Sequence, residues 1–207
     1  MPKSFRASTE HYLKQWCNLD RQLFFGFSQG PVTCELLAKM CNAYQVARTV
    51  PGHNEERYNR FAEMLNNYRH TEVTRQTVPE IIEHECRSMH EAYGKSLLSA
   101  ITKAFWMMKR HPVVIYDSNV RRGLARCGLQ SGTNNYGVYF DSWFKFFERK
   151  DVQHSIDEAM AWLAASPQTR SLLRKQELTH AQLRELVGSQ WFRNRVADMR
   201  LFYIGRD

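Results

Sequence analysis

No stretch of the 207 residues stays apolar for anything near the ~20 positions that a membrane-spanning helix needs, so no entry into a membrane is expected. The cysteines, Cys17, Cys34, Cys41, Cys86 and Cys127, are odd in number and contain no Cys-x-x-Cys pair, so no zinc or iron–sulfur ligand set follows from them. Nor do the 8 histidines include a His-Glu-x-x-His helix, and neither a bound metal nor any other cofactor is expected. The first ten residues are polar and lack the apolar centre of a signal peptide, which makes a cytoplasmic chain with reduced thiols the expectation. Internal repeats and low-complexity tracts are absent. Acids are the scarcer charge: 21 Asp and Glu stand against 29 Lys and Arg, a net +8 and a pI near 9.4. That balance favours anionic partners, although many basic proteins never touch nucleic acid.

What is present reads as helix. Apolar residues recur at three- and four-residue spacing, and strand-like alternation is scarce. The spacing predicts helices over 34–46 (Leu36, Leu37, Met40, Tyr44), 55–68 (Tyr58, Phe61, Met64, Leu65) and 78–93, with Pro31, Pro51-Gly52-His53 and Pro79 at starts or turns. Residues 96–109 are apolar on most sides and form an expected buried central helix, which Pro112 should stop. An extended piece, Val113 to Tyr116, leads to Asp117, and Asp117 or Ser118 is placed to cap a helix over 119–126 that Gly128 closes. Residues 130–137, rich in Ser, Gly, Thr and Asn, form the expected mobile loop. Further helices are expected over 139–147, 152–165, 168–175, 179–187 and 190–202, with Thr179-x-x-Gln182 as a capping box. The basic residues from Arg193 to Arg206 suit an amphipathic closing helix. The expected architecture is all-α, a single monomeric domain over 1–207 or two helical lobes, with a cleft near 99–137.

The segment Ile115-Tyr116-Asp117-Ser118-Asn119-Val120-Arg121-Arg122 stands out because it sets one carboxylate between an apolar run and a basic helix start. Together with the preceding apolar helix, it resembles the catalytic segment of the helix-hairpin-helix (HhH-GPD) DNA glycosylase superfamily. In that family an essential aspartate stands in a Val-Asp-Thr-His-Val-x-Arg pattern followed by Arg-Leu-Gly. Tyr116 to Arg122 is similar, and so is Ala125-Arg126-Cys127-Gly128-Leu129. The resemblance runs from Ser99 to Leu129 and points to the divergent bacterial, oxoguanine-glycosylase-like branch, whose Ser/Thr-Lys helix is similar to Thr102-Lys103. Three features depart from the pattern. The Leu-Pro-Gly-Val-Gly hairpin that grips a phosphate is missing, with Tyr93-Gly94-Lys95-Ser96 its nearest remnant. The interval from Lys103 to Asp117 is shorter than usual. The C-terminal four-cysteine cluster of some members is absent.

The resemblance implies a DNA glycosylase that flips a modified or damaged base out of double-stranded DNA and hydrolyses its N-glycosidic bond. Asp117 would be the catalytic carboxylate and Lys103 a nucleophile with lyase activity. A carboxylate near C1′ stabilises the oxocarbenium-like sugar; the alternative is an Asp117 that only caps its helix. For Lys103 the alternative is a lysine snorkelling from an apolar helix. Arg121, Arg122, Arg126, Lys109, Arg110 and Asn119 would contact DNA, with a solvated basic face as the other reading. The candidate base pocket is Tyr116, Tyr136, Trp106 and Trp143, of which Tyr116 and Tyr136 flank the acid. Tyr139 and Phe144 are further aromatic candidates, and such residues commonly belong to the core. The missing hairpin extends the reading to an anti-phage enzyme acting on bulky modified cytosine, such as glucosylated hydroxymethylcytosine. A non-catalytic nucleic-acid-binding module and a toxin–antitoxin-type interaction protein remain the alternatives.

Overall fold

The computed structural model describes residues 4–52, 55–176 and 178–206; His53, part of the expected turn at 51–53, lies outside them. Every described element is helical, and no strand occurs among the described residues. The chain divides into two compact units. The first comprises Met1–Asn18, Asp117–Thr133 and Val138–Asp207; the second comprises Leu19–Tyr116 and Asn134–Gly137.

In the second unit the elements are α2 (Arg21–Gln29), α3 (Cys34–Ala43), α4 (Asn59–Asn67), α5 (Thr77–Tyr93) and α6 (Leu98–Lys109), the last being central. Nine of the twelve α6 residues are buried, as an all-round apolar helix requires. It ends before Pro112, at Lys109, where Arg110 takes a positive φ of 54°. The run Val113 to Tyr116 belongs to no helix or strand, so side chains satisfy its backbone. The Tyr136 hydroxyl donates to the Val114 carbonyl (2.8 Å) and accepts from the Val114 amide (3.3 Å), while the Tyr116 amide donates to Thr102 Oγ1 (3.0 Å). Thr102, one half of the Thr-Lys pair, therefore ties this run to α6. In α5, Pro79 sits in the first turn, where amides have no helical partner to lose.

The first unit contains α1 (Phe5–Gln15), α7 (Ser118–Arg126), all but the first two residues of α8 (Tyr136–Phe147), α9 (Lys150–Ala165), α10 (Pro167–Lys175), α11 (His180–Gly188) and α12 (Gln190–Arg206). Two findings differ from the sequence expectation. Helix α12 is buried around its circumference rather than amphipathic, with Phe192, Val196, Ala197 and Leu201 fully enclosed. Burial of its charges is feasible because Arg195 Nη1 pairs with Asp198 Oδ2 one turn on, and Asp198 Oδ1 accepts from Trp143 Nε1 at 3.1 Å. Helix α8 starts at Tyr136, inside the expected loop. What remains of that loop is held at two points: Arg121 donates to Thr133 Oγ1, and Gly132 (φ 56°) lies so close to Tyr139 that a Cβ would stand 2.7 Å from its Cα. The capping box at Thr179 and Gln182 is present.

Helices α7 and α12 approach backbone to backbone through two glycines. A Cβ on Gly123 would lie 2.9 Å from the Leu201 carbonyl carbon, and one on Gly205 would lie 2.6 Å from the Gly123 nitrogen. No residue larger than glycine fits either position without separating the helices.

Candidate functional site

Helix α7 positions the residues that carry the resemblance. Asp117 is its N-cap, in extended conformation, and Oδ1 accepts from the Asn119 amide (2.8 Å) and the Val120 amide (3.4 Å). The other end closes on Gly128 at φ 77° with the paired bonds of a Schellman motif, Leu129 N to Leu124 O and Gly128 N to Ala125 O, both 3.0 Å. The buried stripe of the helix is Val120, Gly123 and Leu124. Asp117 itself is partly exposed, so its carboxylate is fixed by backbone amides yet remains in reach of solvent.

The three α7 arginines are tied to the protein by one or two donors each. Arg122 Nε donates to the Gly205 carbonyl (3.1 Å) and Nη2 to Asn119 Oδ1; Arg126 Nη1 donates to the Ile204 carbonyl; Arg121 reaches Thr133. Arg122 and Arg126 thus satisfy carbonyls at the C-terminal end of α12, where cations are favoured. A guanidinium has five N–H donors, so each keeps donors for an anion. Asn119 is partly committed, through Arg122.

Other residues selected from sequence fall in the second unit, with its own environment. Lys103 is 5% exposed, donates to Ser99 Oγ (2.6 Å) and lies 6.0 Å from the Tyr44 ring centroid. Tyr44 in turn donates to the fully buried Asp20 carboxylate (2.9 Å), a polar link that the sequence pattern does not mark. Lys109 caps residues ahead of α5, donating to the carbonyls of Arg69 (2.7 Å) and Thr71 (2.8 Å); burial, and then the Arg69 charge, lower its pKa. Arg110 stacks over Phe24, its guanidinium carbon 3.1 Å from the ring centroid.

The four aromatics expected in a base pocket divide likewise. Trp106 and Tyr136 are enclosed in the second unit and Trp143 in the first, stacked on Phe147 at 5.2 Å and bonded to Asp198. In this conformation all three are core residues; Tyr116 alone is partly exposed. The indole N–H and phenol O–H of Trp143 and Tyr136 are spent on Asp198 and Val114, which accounts for the burial of such groups without a ligand. A cavity of about 280 Å³ in the first unit lies between α1 and α10, lined by Glu10, Leu13, Lys14, Thr169, Leu172 and Lys175, and contains none of the residues selected from sequence. Among the described residues no three His, Cys, Asp or Glu side chains gather as a metal site would require, and no helix is long and apolar enough to cross a membrane.

No family model, curated protein or solved structure matches this chain.

Proposed function

We propose that the protein is a DNA glycosylase whose catalytic carboxylate is Asp117. The observation that carries the reading is Asp117 itself: a partly exposed acid held by two α7 amides at the head of a helix bearing Arg121, Arg122 and Arg126. In the proposed reaction the C1′–N bond of a flipped nucleotide breaks, and the base departs with the bonding electrons and is protonated. Water then forms the new C1′–O bond and gives up a proton, leaving an abasic site. The carboxylate offsets positive charge developing on the sugar, and the arginines neutralise flanking phosphates. Hydrolysis by water is favoured over attack by Lys103, because a buried amine engaged by Ser99 reaches a sugar only after its surroundings move. The substrate class proposed is DNA with bulky modified cytosine, as in phage DNA carrying glucosylated hydroxymethylcytosine.

A second reading, a nucleic-acid-binding module without chemistry, is favoured by one observation: the two amides that Asp117 accepts account for an aspartate at this position without catalysis. The test is base release and abasic-site formation on a panel of unmodified, damaged and glucosylated DNA. Release by wild type and its loss in Asp117→Asn supports the glycosylase. Binding without release by either protein establishes the second reading. Borohydride trapping of a covalent adduct would reinstate Lys103 as nucleophile.

A further inference from the structure

We propose that the outer face of α2, together with the cations at its C-terminal end, is a contact surface for single-stranded DNA on which Phe25 stacks an unpaired base. Phe25 is 63% exposed and is the one large hydrophobic side chain in that state among the described residues. Helix α2 buries Leu23 and Phe27, and its outward positions Arg21, Gln22, Phe25, Ser28 and Gln29 carry no carboxylate. Helical spacing places Phe25 between Arg21 and Ser28, one turn from each.

Cations converge on the same end of the helix. The Arg69 guanidinium donates to the carbonyls of Phe27 (3.2 Å) and Ser28 (3.1 Å), Lys109 donates to the Arg69 carbonyl, and Arg110 lies over Phe24, the neighbour of Phe25 in sequence. Burial, and after it the Arg69 charge, lowers the Lys109 pKa, and burial, then the Arg75 charge, lowers that of His111. Glu72 is the one carboxylate in residues 68–76. Like charges gathered this way are relieved by a polyanion, and a ring standing out of a basic surface offers a π-face that any unpaired base can cover. A duplex keeps its base faces hidden. One phenyl ring is also far short of the ~800 Å² per partner that a stable protein interface buries.

The surface is independent of Asp117, so its test separates from that of the glycosylase. Full-length protein is titrated into a short single-stranded oligodeoxynucleotide containing 2-aminopurine, reading anisotropy and fluorescence quenching. Wild type is expected to bind and quench. Phe25→Ala should weaken binding by about 5- to 150-fold and abolish quenching, with an unchanged melting curve, because the side chain is exposed. Phe25→Tyr should bind like wild type. Arg21→Gln should flatten the salt dependence by about 0.7 in log–log slope, the share of one phosphate contact, and an unchanged slope would remove Arg21 from the surface. Wild-type affinity or quenching in Phe25→Ala overturns the proposal. So does Phe25-dependent dimerisation in light scattering without DNA binding, which would assign the face to a second copy of the chain.

Discussion

Replacing Gly123 by Ala tests whether α7 is fixed on α12 by backbone contact. The added Cβ would stand 2.9 Å from the Leu201 carbonyl carbon, short of comfortable carbon–carbon contact by about 0.6 Å, and nearer still to the carbonyl oxygen. Neither atom belongs to a side chain that can swing aside. Relief requires the helices to separate, which draws Arg122 and Arg126 away from the carbonyls of Gly205 and Ile204. Overpacking costs about 1–3 kcal/mol, and a backbone-on-backbone clash belongs at the upper end. Alanine returns about 1 kcal/mol through its higher helix propensity. The net expectation is a loss of about 2 kcal/mol, or about 4–8 °C in melting temperature for a chain of this size. Gly205→Ala should behave alike. Gly188, at the end of α11, is the control, because a methyl group added there would meet nothing within 4 Å. Gly188→Ala should melt at or slightly above wild type. Thermal melts followed by circular dichroism decide the matter. If Gly123→Ala and Gly188→Ala melt together, the close approach of α7 and α12 is wrong.

Three further outcomes follow from the same geometry. Asp117→Ala should lose about 1 kcal/mol in urea unfolding through the missing cap, whereas Asp117→Asn, an equally good cap, should stay within a few tenths; equal losses would refute the capping geometry. Asp198→Asn, which strips the charge facing buried Arg195, should cost about 3–5 kcal/mol, and joint replacement of the pair by Met and Leu should recover much of it; an additive double variant would show the two are not partners. Burial and the Glu85 hydrogen bond push the Tyr68 hydroxyl up to about 12. Its folded pKa exceeds the unfolded value near 10, so the folded state holds the proton more tightly and stability should fall as pH rises from about 10 to 12. Ultraviolet titration of folded wild type and Tyr68→Phe should give coincident tyrosinate curves below about pH 11, and one additional tyrosinate in wild type over that range would contradict the contact.

The strongly periodic helices are legible in the sequence because their buried residues are apolar. Those of α3, α5 and α6 lie within a few residues of their expected ends. Helix α1 is not legible because half of its buried positions are hydroxyls, Ser8 and Thr9, which bond back to the carbonyls of Ser4 and Phe5 and so need no apolar character. Helix α2 is hidden because Phe25 sits off the apolar spacing of Leu23 and Phe27. Helix α12 reads as amphipathic because its charges give no sign in sequence that Arg195 and Asp198 neutralise each other inside. At the candidate site, the Asp117 cap and the Gly128 stop follow from local chemistry and are readable. The destinations of Arg122 and Arg126 are not, since their acceptors lie about 80 residues away in sequence and depend on Gly123 and Gly205 allowing the helices to touch. The enclosure of Trp106, Tyr136 and Trp143 is equally a tertiary property.

If Asp117 does chemistry on DNA beyond capping its helix, removing its charge slows base release. Single-turnover base release from glucosylated phage DNA, comparing wild type with Asp117→Asn at equal stability and equal DNA affinity, tests it directly. Free base and abasic sites are expected from wild type, with a rate lower by about 100- to 1,000-fold in the variant, the scale of losing one preorganised electrostatic group. Equal rates, or bound DNA with no base released by either protein across the full panel of modified and damaged substrates, would contradict it.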